Sequence, residues 1–121
     1  MTALERSIAI LLSNLTVAKL LVDAADGFGI DTKEAVSVED LIAQHPEEPP
    51  TLAIVEASAL EASPNATEFV SRIERLFLVL RQPDDPARRE YIGKSTTTYL
   101  CEPFDYEDIR KMLNAMRDII D

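Results

Sequence analysis

Only a few side chains in this sequence are of types that do chemistry, and each stands nearly alone. Cys101 is the sole cysteine, and one thiol excludes an intramolecular disulfide or a cysteine-rich zinc cluster. It lies in an apolar stretch before Glu102, the setting of a small buried packing residue rather than a reactive thiol. His45 is the sole histidine, so a histidine-based triad or zinc site would have to centre on it. It precedes Pro46 at the end of a predicted helix, where an imidazole is solvated. Gly93-Lys94-Ser95 resembles the end of a Walker-type phosphate loop. The earlier glycine of that motif would fall on Arg88, however, and the triplet precedes a strand where such a loop follows one. Arg81, Arg88, Arg89 and Lys94 are the one basic concentration in an acidic chain, a candidate docking patch for an acidic partner.

The elements that must position these residues have to be built from a modest apolar inventory. A chain of 121 residues is one domain, residues 1–121, with one core. Aromatics make up 6% and tryptophan is absent, so the core rests on Leu, Ile, Val and Ala. With 22 acidic and 12 basic residues the net charge is -10, a field that repels nucleic acid and anionic membrane surfaces. The apolar run at residues 8–12 is followed by Ser13, Asn14, Thr16 and Lys19, unlike a signal peptide. Nothing approaches the roughly 20 apolar residues of a membrane span. A cytoplasmic protein is expected, with no nucleic-acid or membrane partner.

The hydrophobic pattern alternates between strand and helix. Residues 8–12 (IAILL), 52–55 (LAIV) and 76–80 (LFLVL) are short continuous apolar runs, the mark of strands buried on both faces. Residues 30–36 are a weaker strand whose Lys33 and Glu34 fit a sheet edge, and residues 99–101 are a brief last strand. Between them lie helical periods. Val17, Leu20, Leu21 and Ala24 repeat at i, i+3, i+4, i+7, with Gly27 and Gly29 as the stop. Ser37 is an N-cap with Asp40 three residues on. Ser63-Pro64 supplies a cap and first helical residue for Ala66, Phe69, Val70 and Ile73. Asp84, Asp85 and Pro86 open a short, poorly amphipathic helix ending near Gly93. Asp105 caps the clearest helix, whose stripe is Ile109, Met112, Leu113, Met116 and Ile120; both methionines read as core. Five βα units predict an α/β fold of flavodoxin-like type. This is a doubly wound sandwich with right-handed crossovers and a parallel five-stranded sheet in the order 2-1-3-4-5.

Five such units ending in Tyr99-Leu100-Cys101-Glu102-Pro103-Phe104 resemble the receiver domain of bacterial response regulators, over nearly the whole chain. The family's ending has an aromatic residue, two apolar residues, lysine, proline and phenylalanine. The resemblance implies a site at the strand ends, where two acidic residues hold Mg²⁺, an Asp accepts the phosphoryl group, and a Thr or Ser and a Lys complete the set. In this chain the acidic pair falls on Leu12-Ser13 or Ser13-Asn14, the acceptor on Glu56, the hydroxyl on Arg81 and the lysine on Glu102. Phosphoryl transfer to a carboxylate needs a divalent metal and a cation on the transferred oxygens. Here the metal carboxylates are missing and the lysine is reversed to an acid. The chain therefore resembles a degenerate receiver, a pseudo-receiver, with no catalysis, no metal and no cofactor expected.

What the resemblance implies is a phosphorylation-independent interaction or regulatory module in two-component signalling or assembly. Its working face is expected at Arg88, Arg89, Lys94, Tyr99 and Tyr106, binding a protein partner or forming a homodimer through the fourth helix, fifth strand and fifth helix. A small-ligand sensor using the cleft at the carboxyl ends of the strands is the alternative, and a still phosphorylatable regulator ranks last. Two details are expected at the site. Arg81 bridges Glu56 and Glu102 as an ion cluster, and the Glu102-Pro103 bond is cis, as in the receivers it resembles.

Overall fold

The computed structural model describes residues 7–44, 50–80 and 96–120. Their order is β1 (Ser7–Leu11), α1 (Leu15–Gly27), β2 (Asp31–Glu34), α2 (Val38–Gln44), β3 (Leu52–Glu56), α3 (Ala57–Glu61), α4 (Ala66–Ser71), β4 (Arg75–Leu80), β5 (Thr96–Cys101) and α5 (Tyr106–Ile120). All strand pairs are parallel and the sheet runs β2-β1-β3-β4-β5. The flavodoxin-like order expected from the sequence is the observed one. The strand with Lys33 and Glu34 in it is the edge strand of the described sheet, paired with β1.

The continuous apolar runs form the centre of the sheet because a strand covered on both faces has no polar side. Alternate residues feed two cores. Ile8 and Ile10 of β1, Leu52 and Ile54 of β3, and Phe77 and Val79 of β4 pack with Leu21 and Ala25 of α1 and Met112, Ala115 and Met116 of α5. Ala9 and Leu11, Ala53 and Val55, and Leu76, Leu78 and Leu80 pack on the other side with Val38, Leu41, Leu60, Phe69 and Val70 of α2, α3 and α4. Met112 and Met116 are fully buried, core residues as the helical stripe predicts.

The helix ends follow local chemistry. Asn14 Oδ1 accepts from the Val17 N–H and caps α1. At its other end the Gly29 N–H donates to the Asp26 carbonyl and the Ile30 N–H to the Ala25 carbonyl, both at distances near 3 Å. This pairing is a Schellman motif. It requires a left-handed residue, and Gly29 has φ 74°. The Asp40 N–H donates to Ser37 Oγ while Asp40 Oδ2 accepts from the Val36 N–H. The Asp108 N–H donates to Asp105 Oδ1 while Asp108 Oδ2 accepts from the Asp105 N–H. The second is a reciprocal capping pair, whereas at the first Asp40 reaches one residue further back, to Val36.

Two expectations need correction. The helix opened by Ser63-Pro64 is present as α4, but its N-cap is Asn65 rather than Ser63, and a further short helix, α3, precedes the turn that holds Ser63 and Pro64. Ala57 and Leu60 are both buried, so α3 begins directly where β3 ends. The Ser63 hydroxyl turns to a tertiary partner, donating to Glu39 Oε1 of α2. Cys101 is half-buried rather than buried, because β5 is the other edge of the described sheet. Strand boundaries shift by a residue or a few, most at β5, which starts at Thr96 rather than Tyr99. His45, Gly93-Lys94-Ser95 and the predicted fourth helix lie outside the described residues.

Candidate functional site at the carboxyl ends of the strands

Parallel strands all end on one side of the sheet, so the residues just past β1, β3 and β5 must meet there. Ser13 follows β1 and precedes the α1 cap. Glu56 is the last residue of β3, and Glu102 follows β5. The three line one cleft with Ser58, Val79 and Leu80, enclosing about 60 Å³. Asn14 lies on a neighbouring groove with Val17, Glu102, Pro103 and Phe104. Four of the five site residues read from the sequence, Ser13, Asn14, Glu56 and Glu102, thus come together. Arg81, and with it the expected ion cluster, lies outside the described residues.

Glu56 is held firmly. Its Oε1 accepts from the Ser13 backbone N–H at 2.6 Å and from Ser13 Oγ at 2.7 Å. Short contacts of this kind are typical of a carboxylate acceptor. The start of α1 adds a favourable partial positive charge from its free N–H groups. The first loop is thereby tied directly to the end of β3 by a side chain 43 positions away. Glu102 is in the opposite condition. Its Oε1 is buried, with less than 1 Å² exposed, and has no hydrogen-bond partner among the described residues. The Glu102-Pro103 peptide is cis, as expected. The Cys101 thiol is turned to the Glu102 carbonyl at 3.5 Å.

These residues do not fit a bound divalent cation. Mg²⁺ and Ca²⁺ take about six or more oxygen ligands, normally including several carboxylates. Oε1 of Glu56 is already occupied by two donors. Among the described residues no group of three or more His, Cys, Asp or Glu side chains is placed to hold a metal.

Of the expected interaction face, Tyr106 is 78% exposed at the start of α5. Tyr99 on β5 is half-buried and packs against the core shared with α2, α3 and α4. Arg88, Arg89 and Lys94 lie outside the described residues. One exposed apolar feature went unread in the sequence. Leu15 is 77% exposed and Leu20 46%, and both line an open groove on α1 with Thr16, Lys19 and Asp23. Leu20 had read as part of the buried stripe, whereas the buried residues of α1 are Ala18, Leu21 and Ala25.

The fold has solved counterparts. No protein-family model matches the chain, and no curated protein matches it. Solved receiver domains do. A signal receiver domain ascribed to a LuxO repressor protein of Vibrio parahaemolyticus is 12% identical with TM-score 0.67, covering 98% of both chains. An orphan response regulator of H. pylori is 14% identical with TM-score 0.67, over 96% of this chain and 97% of that one. A response regulator of Burkholderia pseudomallei with a phosphorylated aspartic acid and a calcium ion is 12% identical with TM-score 0.64, over 95% and 71%. The chain has the receiver-domain fold of the CheY-like response regulators. Among the described residues no helix is long and apolar enough to cross a membrane.

Proposed function

We propose that this chain is a phosphorylation-independent receiver-type module that regulates by binding a protein partner or a second copy of itself, without catalysis. The receiver fold supports a signalling or regulatory role. One observation carries the rest. The carboxylate at the acceptor position is engaged by Ser13, the residue standing where a receiver has a metal-binding acid. A phosphoryl group arriving at Glu56 would have to displace two charge-assisted hydrogen bonds. It would find no metal acids at Ser13 or Asn14 and an anion at Glu102 in place of a lysine. One structural neighbour holds a phosphorylated aspartic acid and a calcium ion; the side chains for that chemistry are substituted here. The working surface in this reading is the side with Arg88, Arg89, Lys94, Tyr99 and Tyr106. Arginine and tyrosine offer large contact areas with a polar end, and a basic strip on a chain of charge -10 sets docking orientation in a salt-sensitive way.

The test is a pair of measurements on one protein. Mg²⁺ with beryllofluoride should leave the amide spectrum around Glu56 unchanged. Shifts centred on Glu56 would overturn phosphorylation independence. Association followed by light scattering should weaken with salt and be lost in the Arg88→Glu, Arg89→Glu double variant with unchanged circular dichroism. Unaltered association would move the interface elsewhere.

A further inference from the structure

The outer face of α1 carries its charges in an order that does not suit the helix itself. Lys19 is the one basic residue of Leu15–Gly27 and lies in its first half, whereas the acids Asp23 and Asp26 lie in the second. A helix favours negative charge near its start and positive charge near its end. A base four positions before an acid is also the weaker order for an intrahelical pair. Neither Lys19 nor Asp23 makes an ion pair among the described residues. Lys19, Asp23 and Asp26 recur at i, i+4, i+7 and so form one line along the helix, and all three are exposed. Leu15 and Leu20, 77% and 46% exposed, flank that line, and with Thr16 they line the open groove.

The same helix laid antiparallel supplies the reverse order. We propose that the outer face of α1 pairs with α1 of a second copy of this chain about a two-fold axis, Lys19 of each copy lying against Asp23 of the other. The axis then passes at the level of Leu21, midway between positions 19 and 23. At 1.5 Å of rise per residue the two copies of Leu20 stand within about 3 Å of one another in height. Asp26 lies less than one turn beyond Asp23 and adds a second acid for the same lysine. Opposed helix dipoles favour the arrangement, and the two-fold makes every contact twice. A chain of net charge -10 repels its own copies; on this face the repulsion is locally reversed, because one surface holds both halves of the pairing. A single helix face offers less than the roughly 1,200 Å² that marks stable interfaces, so the pairing is weak and transient. It is additional to the docking strip and independent of it.

The test is dilution of the intact chain followed by amide NMR. Concentration-dependent shifts are expected at Thr16, Lys19, Leu20 and Asp23, and they should shrink as salt is added. They should persist in Arg88→Ala, Arg89→Ala, which silences the strip. Lys19→Asp and Asp23→Lys, each shown folded by circular dichroism, should each weaken pairing about tenfold or more, since both symmetric contacts turn repulsive. Labelled Lys19→Asp titrated with unlabelled Asp23→Lys should shift again, because each supplies the charge that the other has lost. A role in helix stability alone would give no such recovery. Dilution-invariant α1 amides, α1 shifts that vanish in the Arg88→Ala, Arg89→Ala variant, or no recovery on mixing overturns the proposal. Loss of the strip's own binding leaves it standing.

Discussion

Removing the Ser13 hydroxyl tests how the first loop is tied to the end of β3. In Ser13→Ala the 2.7 Å contact from Oγ to Glu56 Oε1 disappears, while the backbone N–H still donates. A hydrogen bond to a charged partner contributes about 1.5–3 kcal/mol when well shielded. Ser13 is exposed and Glu56 only half-buried, so water replaces part of the loss and about 1 kcal/mol is expected. With a urea m value of about 1.5 kcal/mol/M for a domain of this size, the midpoint should fall by roughly 0.7 M at unchanged m. Glu56→Ala removes both contacts and leaves a backbone donor to be hydrated, so it should cost more. In the double variant the hydroxyl has nothing left to lose. The double-mutant cycle should therefore return a coupling of about 1 kcal/mol, where independent sites add to within ~0.3–0.5 kcal/mol. Strictly additive midpoint shifts would refute the linkage. A changed m value would mean that the substitution altered the denatured state or the two-state behaviour instead.

Two further outcomes follow from individual contacts. Gly29→Ala should lower stability by about 1 kcal/mol in the same assay, because φ 74° places a Cβ in the left-handed region although no atom lies within 4 Å of it. Gly29→Asn should recover part of that. The Glu39 carboxyl is held below its ordinary value of 4.5, first by the Ser63 hydroxyl and then by its own backbone N–H. A carboxyl depressed on folding adds stability above the unfolded value and loses it as pH falls through the folded one. Wild type and Glu39→Gln should thus differ by a constant amount near neutrality, with the gap closing as pH drops below about 4.5. Thermal midpoints across that range measure it, and a gap that widened in acid would contradict the assignment.

Much of the architecture is legible in local pattern. The runs IAILL, LAIV and LFLVL have no polar alternation, and only a strand covered on both faces can use such a run, so these three became the sheet centre. Lys33 and Glu34 cannot sit in a strand flanked on both sides without losing water, so β2 is an edge. The caps at Ser37 and Asp105 and the stop at Gly29 depend on groups within a few residues and are readable for that reason. Helix α3 and the shift of the α4 cap from Ser63 to Asn65 were not. The Ser63 hydroxyl resembles a cap until Glu39, 24 positions away, is brought to it by the packing of α2. The exposure of Leu20 and the half-burial of Cys101 likewise depend on which neighbours arrive at a helix flank or a sheet edge.

The site divides in the same way. That Ser13, Asn14, Glu56 and Glu102 gather at one end of the sheet follows from parallel strands and could be placed from their positions in the chain. That Ser13 donates twice to Glu56 while Glu102 keeps a buried oxygen without a donor among the described residues could not. The sequence alone determines which charges and hydroxyls reach the strand ends, because strand direction is set by hydrophobic pattern. Only the tertiary structure decides which acceptor meets which donor, because a hydrogen bond turns on a few tenths of an ångström between residues that no local rule relates.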